Sequence, residues 1–61
     1  MITAEMKPAV NNKAMMTLYG PSTEDKPVGT FDRVEIANGS AFLEIDTQNV
    51  LFYNEESQSW T

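Results

Sequence analysis

The sequence contains no cysteine and no histidine. Their absence excludes disulfide bonds, thiolate nucleophiles, zinc sites built from these residues and imidazole general bases. A chain of 61 residues forms one domain with a small core. Domains of this size that lack disulfides and structural metals gain stability by associating with a partner. We therefore expect a binding or structural module and not an enzyme, with no cofactor and no metal.

Long apolar runs and positive charge are also scarce. No segment approaches the roughly 20 apolar residues of a membrane span, and residues 1–8 lack the basic and apolar regions of a signal peptide. We therefore expect no membrane partner and a mature chain that begins at Met1. Nine acidic residues against four basic ones give a net charge of −5. This charge repels phosphate backbones and argues against nucleic acid as a partner.

Short apolar runs separated by turn residues predict an all-β fold. Residues 1–13 show no persistent helical or alternating pattern and are interpreted as an N-terminal arm. The apolar run of residues 14–19 predicts a first strand, and residues 21–30 predict a loop rich in Pro, Gly, Ser and Thr. Residues 14–61 are thus predicted to form a single small β domain, an antiparallel meander of three to four strands.

Asn38 and Gly39 are the strongest turn signal in the chain. Both residue types tolerate the positive φ of a type I′ turn, which joins two antiparallel strands into a hairpin. In the register that this turn fixes, Ile36 lies opposite Ala41, and Arg33 lies opposite Glu44 as a favourable charge pair.

The next connection, residues 46–49, adds a third strand and places Leu43 opposite Phe52. Because side chains alternate along a strand, this register predicts two faces. The predicted buried face comprises Val34, Ile36, Ala41, Leu43, Ile45, Val50 and Phe52. The predicted second face comprises Arg33, Glu35, Phe42, Glu44, Leu51 and Tyr53. Half of this second face is apolar, and so small a chain has little left to cover it.

Four residues are candidates for contact with a partner. Phe42, Leu51 and Tyr53 form the apolar part of the uncovered face, and we expect them to contact other copies of the chain in a homo-oligomer or a larger protein. Trp60 has two interpretations, a lid that folds back over the edge of the meander and an anchor on a partner, and the lid is favoured. Three of the four methionines lie in residues 6–16 and either fill core gaps or offer an adaptable docking surface.

Carboxylates offer the remaining chemistry. Glu44 and Asp46 share a strand face at spacing i, i+2, where like charges raise one pKa for general-acid work, but such pairs are common on solvated strands. Asp46, Thr47 and Asn49 supply oxygens in a turn but lack the spaced ligands of a calcium loop. We expect Asp46 to accept hydrogen bonds within its turn.

Several segments resemble a module of tailed bacteriophages. The matching segments are residues 19–27, 38–47 and 50–56, followed by Trp60. They present a small-residue turn, a strand that ends in Asp-Thr, an aromatic strand, a polar turn and a tryptophan. Similar modules recur in small virion-associated proteins and in fibre or tail appendages of phages and prophages. The matched region spans residues 19–60, departs from the pattern in residues 28–36, and leaves the predicted arm outside.

The resemblance implies a structural role by protein–protein contact, commonly with three-fold or higher symmetry, so that a trimer is the expected homo-oligomer. It also implies larger virion proteins as partners, location in the virion, location in the host cytoplasm during assembly, and no catalytic residues. The alternative is a small acidic phage-encoded inhibitor or regulator of a host protein. A spread of charge favours the structural role, and a single dense acidic patch favours the inhibitor.

Overall fold

The structure contains strands, turns and loops and no helix. A computed structural model describes all residues, Met1–Thr61. No helix with the length and apolarity needed to cross a membrane is found. The eight strands are β1 (Thr3–Met6), β2 (Lys13–Ala14), β3 (Met16–Gly20), β4 (Thr30–Phe31), β5 (Val34–Ile36), β6 (Ala41–Glu44), β7 (Val50–Asn54) and β8 (Ser59–Trp60). The all-β prediction is confirmed.

The strands form two mixed sheets. One sheet has five strands in the order β1-β3-β6-β7-β8, and the other has three in the order β2-β5-β4. Of the predicted antiparallel meander only the pair β6–β7 forms, and β8, which was not predicted as a strand, extends it on the far side of β7. The pairs β3–β6 and β2–β5 are parallel and were not predicted. A parallel pair needs a long connection, and the chain between β3 and β6 supplies it by forming β4 and β5 of the second sheet.

Residues 1–13 are not a free arm. Strand β1 pairs with β3 in an antiparallel register that places Thr3 opposite Tyr19 and Met6 opposite Met16. The inward side chains of Ala4 and Met6 pack against the core. The prediction of an arm is therefore wrong for this segment. Its alternation of exposed and half-buried residues is only four residues long, and the segment forms a strand because it pairs with β3.

The turn at Asn38 and Gly39 exists but does not form a hairpin. The Ser40 amide donates to the Ala37 carbonyl at 3.2 Å. Gly39 has a φ of +89°, whereas Asn38 has no positive φ, a combination typical of a type II turn and not of type I′. Strands β5 and β6, on either side of this turn, belong to different sheets. The predicted hairpin register is therefore wrong, because the turn carries the chain from one sheet to the other.

Ser40 fixes this corner to the rest of the fold. Its buried hydroxyl donates to the Ala37 carbonyl at 2.8 Å and accepts from the Met16 amide at 3.1 Å. Its carbonyl accepts from the Tyr53 amide at 2.8 Å. The corner is thus bonded to β3 and to β7, and no polar atom of the buried hydroxyl is left without a partner.

We expect Gly39→Val to destabilise the fold by about 1–3 kcal/mol, because a β-branched residue is strained at positive φ. The nearest side-chain atoms to an added Cβ lie 3.9 Å away, so the cost comes from the backbone and not from a clash. Urea unfolding followed by circular dichroism measures the difference. Gly39→Asn is the control and should cost less, since asparagine tolerates positive φ. Equal midpoints for Gly39→Val and the wild type would place the turn elsewhere.

Strands β6 and β7 pair with Leu43 opposite Val50 and Phe42 opposite Leu51. This register differs by two residues from the predicted one, which placed Leu43 opposite Phe52. Because a shift of two residues leaves every side chain on its own face, the predicted grouping of side chains into two faces holds for these strands. The predicted choice of the buried face does not.

The core lies between the two sheets. Its buried members are Met16, Leu18, Ile36, Phe42 and Tyr53. The partly buried residues packed around them are Ile2, Ala4, Met6, Phe31, Val34, Leu51 and Trp60. The second sheet and the loop before it cover the face of β6 and β7 that the sequence predicted to be uncovered. The prediction that this face is exposed is therefore wrong, as is the prediction that Leu43, Ile45, Val50 and Phe52 fill the core.

Candidate functional site

The structure brings the predicted partner-contact residues together inside the molecule. Phe42 and Tyr53 are buried, whereas Leu51 and Trp60 are half-buried at the edge of the core. The ring centroid of Trp60 lies 4.9 Å from that of Tyr53 and 5.8 Å from that of Phe42. The expected exposed patch of Phe42, Leu51 and Tyr53 is wrong, because this face meets β5 and the loop before β4. Phe42 and Tyr53 cannot contact a partner while this packing lasts, whereas Leu51 and Trp60 remain partly exposed.

Trp60 closes one edge of the core. Its indole Nε1–H donates to the Pro27 carbonyl at 2.8 Å, and strand β8 pairs with β7 so that Trp60 lies opposite Tyr53. The contact fixes the loop of residues 21–29 over the aromatic rings. This arrangement agrees with the predicted lid and not with an anchor held out for a partner.

Lys26 and Glu44 form the one ion pair with two largely buried side chains. The Lys26 Nζ lies 2.8 Å from Glu44 Oε2 and 5.0 Å from the centroid of the Phe42 ring, where it also makes a cation–π contact. The Thr47 hydroxyl donates to Glu44 Oε1 at 2.7 Å. These hydrogen bonds, from Lys26 first and then Thr47, hold the pKa of Glu44 below its ordinary value. The predicted pair of Arg33 with Glu44 is wrong, because β5 and β6 do not pair.

Asp46 is held by the loop across from it. Its two carboxylate oxygens accept from the Ser22 amide at 2.9 Å and the Ser22 hydroxyl at 2.7 Å. The Ser22 hydroxyl, and then its amide, lower the pKa of Asp46. Bonds within its own turn, which the sequence predicted, contribute less. Glu44 and Asp46 therefore have separate partners and lowered pKa values, the opposite of the raised pKa that a general acid requires.

These two carboxylates make stability depend on pH. Each pKa lies below its ordinary value, 4.5 for Glu44 and 3.8 for Asp46, so the stabilisation is complete above those values and is lost as pH falls through the lower folded values. We expect a thermal midpoint that falls progressively below about pH 4.5. Melts followed by circular dichroism from pH 7 to pH 2 measure it. Glu44→Gln should show a smaller acid-induced decrease, whereas exposed Glu56→Gln should retain the full decrease. An unchanged profile in Glu44→Gln would contradict the role of Lys26.

The outward face of the five-stranded sheet is the most distinctive surface of the molecule. Its residues lie at alternate positions of β3, β6 and β7 in two cross-strand rows. One row runs from Thr17 through Ala41 to Phe52, and the other from Tyr19 through Leu43 to Val50. We define the open face as Tyr19, Ala41, Leu43, Val50 and Phe52 of these rows, together with Ile45, which directly follows β6 and lies beside Leu43 and Val50.

Three side chains of the open face are strongly exposed. Ile45 is 64% exposed, Phe52 57% and Val50 51%. None of the three belongs to the core or to the residues packed against it. A group of large apolar side chains left in solvent on one sheet face marks a contact surface. We therefore take the open face as the candidate functional site.

The centre of the open face carries no charge. The outward positions of β3, β6 and β7 are filled by uncharged residues between Thr17 and Phe52. At one border, the Tyr19 hydroxyl donates to Glu5 at 2.6 Å, and this hydrogen bond raises the pKa of Tyr19. The outward face of the three-stranded sheet is different, since there Lys13 lies opposite exposed Glu35. One outer surface of the molecule is thus charged and solvated, and the other is apolar.

Two recesses accompany these surfaces. A hollow of about 190 Å³ lies on the open face at the end of β6 and is lined by Leu43, Glu44, Ile45, Gln48, Asn49 and Val50. A shallow groove of about 440 Å³ lies beside β1 and includes Met6, Met15 and Met16. Of these methionines, Met16 is core and Met6 packs against it, so both fill gaps, while Met15 is partly exposed.

Sequence reasoning grouped the residues of the open face, apart from Tyr19, on one side of the sheet but assigned them to the core. Strand β7 is apolar on both faces, with Val50 and Phe52 on one side and Leu51 and Tyr53 on the other. Alternation therefore does not distinguish the inner from the outer face. No signal along the chain reveals which side is covered, since Tyr53 and Glu44 on the covered side carry polar ends that burial disfavours unless they find partners. The Tyr53 hydroxyl finds its partner in the Gly29 amide at 3.0 Å.

Comparisons with protein-family models, with curated proteins and with solved structures give no significant match.

Proposed function

We propose that the chain is a structural protein of a phage or prophage virion that acts by protein–protein contact through its open face. The observation that supports this role is the charge-free apolar centre of the face, with Ile45, Val50 and Phe52 in solvent. The place in a virion head, neck or tail appendage is supported by the resemblance of residues 19–60 to the phage module. The partners are other copies of the chain and larger virion proteins.

The apolar surface of the open face supplies a driving force for contact with another protein. Burial of apolar surface stabilises a complex by about 25 cal/mol per Å² before association costs are subtracted. A few large side chains carry most of the binding energy of a contact, and Phe52 is the largest of the strongly exposed apolar side chains on the open face. The polar residues at its border, including Thr17 and Glu5, supply the hydrated rim that such contacts have.

The alternative role as an acidic inhibitor receives less support. Five of the nine carboxylates accept hydrogen bonds within the chain, those of Glu5, Glu24, Glu44, Asp46 and Glu55. An inhibitor that imitates a phosphate backbone needs its carboxylates free and clustered. The exposed apolar side chains of the open face also carry no charge with which to imitate phosphate groups.

Virions purified from lysates of the strain that encodes the chain test the proposal. We expect a fixed number of copies per particle by quantitative mass spectrometry. Val50→Ser and Phe52→Ser should lower incorporation at least tenfold. Val28→Ser is a matched control, because Val28 and Val50 are each 51% exposed and Val28 lies outside the open face.

Absence of the chain from purified particles would overturn the proposal, as would normal incorporation of Val50→Ser and Phe52→Ser. Recovery of the chain outside particles, bound in fixed stoichiometry to a host defence or DNA-processing protein, would favour the inhibitor instead.

A further inference from the structure

We propose that the open face is occupied by a second copy of the chain, packed face to face about a two-fold axis. The inference rests on the proposed function in that it names the first partner of the same surface. It places Phe52 of each copy in the hollow that Leu43, Ile45 and Val50 line on the other copy.

The relief of the open face is self-complementary. Phe52 projects from it, and the hollow of about 190 Å³ lies beside Val50, two residues along the same strand. Two residues of a strand span about 7 Å. A two-fold axis that passes midway between the projection and the hollow brings each Phe52 over the opposite hollow. The same patch is then used on both copies, as an isologous contact requires.

The size of the molecule limits a face-to-face contact to the lower end of the range of specific interfaces. The two longer dimensions of the molecule are 33 and 21 Å, and their product bounds one flat face at about 700 Å². Standard specific interfaces bury about 800 Å² per partner, and contacts below about 600 Å² are weak. Face-to-face packing that uses most of this surface therefore reaches the range of specific contacts, whereas a partner that covers only the hollow does not.

The distribution of charge permits two acidic copies to meet. Each chain carries a net charge of −5, but the open face buries none of it because its centre has no ionisable group except the Tyr19 hydroxyl. The carboxylate of Glu5 remains at the border. Repulsion is thus confined to exposed groups that salt screens over about 8 Å at physiological ionic strength. Added salt should strengthen a contact between two copies, whereas it should weaken a contact with a basic partner.

A second copy would also stabilise the fold, because the core of one chain is small. Nine of 61 residues are buried, and the core cluster has five members. A chain of this size draws only a few kcal/mol from its own core and is commonly stabilised by association. A second copy is present wherever the chain is synthesised. It can therefore cover the open face before any other virion component arrives.

Analytical ultracentrifugation of the full chain tests the inference. We expect a dimer at tens of micromolar, with an association that is unchanged or stronger at high sodium chloride. Phe52→Ser should weaken association at least tenfold, which corresponds to about 1.4 kcal/mol. Val28→Ser should associate as the wild type does. Far-UV circular dichroism and the fluorescence of the single tryptophan confirm that each variant is folded.

The outcomes separate this inference from the proposed function. A monomer at every concentration, combined with loss of Phe52→Ser from particles, overturns the dimer and leaves the virion role intact. A dimer that Phe52→Ser dissociates, combined with normal incorporation of that variant, supports the dimer and contradicts the proposal that the open face attaches the chain to the virion. A trimer, or association weakened by salt, overturns the two-fold face-to-face packing.

Discussion

Phe42→Ala is expected to unfold most of the chain at 25 °C. Phe42 is completely buried, its ring contacts the edge of Trp60, and the Lys26 ammonium lies over its face. Truncation of a buried phenylalanine costs about 3–5 kcal/mol. A core of this size supplies about the same amount, so little stability remains. Far-UV circular dichroism and urea titration measure the loss.

Phe52→Ala is the matched control for this experiment. Phe52 is the same residue type in the adjacent strand of the same sheet, but it is 57% exposed. In dilute solution its truncation should cost less than about 1 kcal/mol, as surface substitutions do. Because dimerisation makes the stability of the wild type rise with protein concentration, Phe52→Ala should show a smaller rise. The opposite ranking, with Phe52 critical and Phe42 tolerant, would restore the core predicted from the sequence and contradict the structure.

Trp60→Ala is expected to destabilise the fold by about 3 kcal/mol, at the lower end of the range for truncation of a large aromatic residue, because Trp60 is half-buried. The substitution removes the packing against Tyr53 and Phe42 and the hydrogen bond to the Pro27 carbonyl. The loop of residues 21–29 loses its attachment to the aromatic cluster. Thermal unfolding followed by circular dichroism detects the change without a tryptophan signal.

Trp60→Phe separates packing from hydrogen bonding. It keeps an aromatic ring against Tyr53 and loses the donor to Pro27, so it should cost about 1 kcal/mol, the usual net value of one hydrogen bond. Wild-type stability in Trp60→Ala, together with a loss of partner binding, would contradict the lid and support the anchor interpretation of this residue.

Local features of the sequence predicted the class of the fold and several of its turns. Glycine at position 39 indicated a turn because few other residues adopt positive φ, and the structure has that φ there. Gly20 and Pro21 indicated the end of the first predicted strand, and the corresponding strand, β3, ends at Gly20. The alternation in β6 and β7 correctly divided their side chains into two groups. Each of these features depends on neighbours along the chain.

The sequence did not predict the pairing of β3 with β6 or the placement of β5 in a second sheet. Both depend on contacts between residues far apart in the chain, and the turn at Gly39 is compatible with a hairpin as well as with a corner between sheets. The type of the turn is decided by φ at Asn38, which sequence does not specify. Because β5 and β6 lie in different sheets, Arg33 does not pair with Glu44, and Glu44 forms its ion pair with Lys26 instead.

The candidate site was predicted as a set of residues and not as a surface. The sequence by itself determined that β7 carries apolar side chains on both faces, so that one apolar face would remain outside a chain of this size. Which of the two faces is covered depends on the packing of the second sheet against β6 and β7. The second sheet and Trp60 cover the side of Phe42 and Tyr53, where the tyrosine hydroxyl and the Glu44 carboxylate find hydrogen-bond partners. Val50 and Phe52 are left on the open face. The sequence does not predict this outcome, because the burial of apolar area by itself favours neither face over the other.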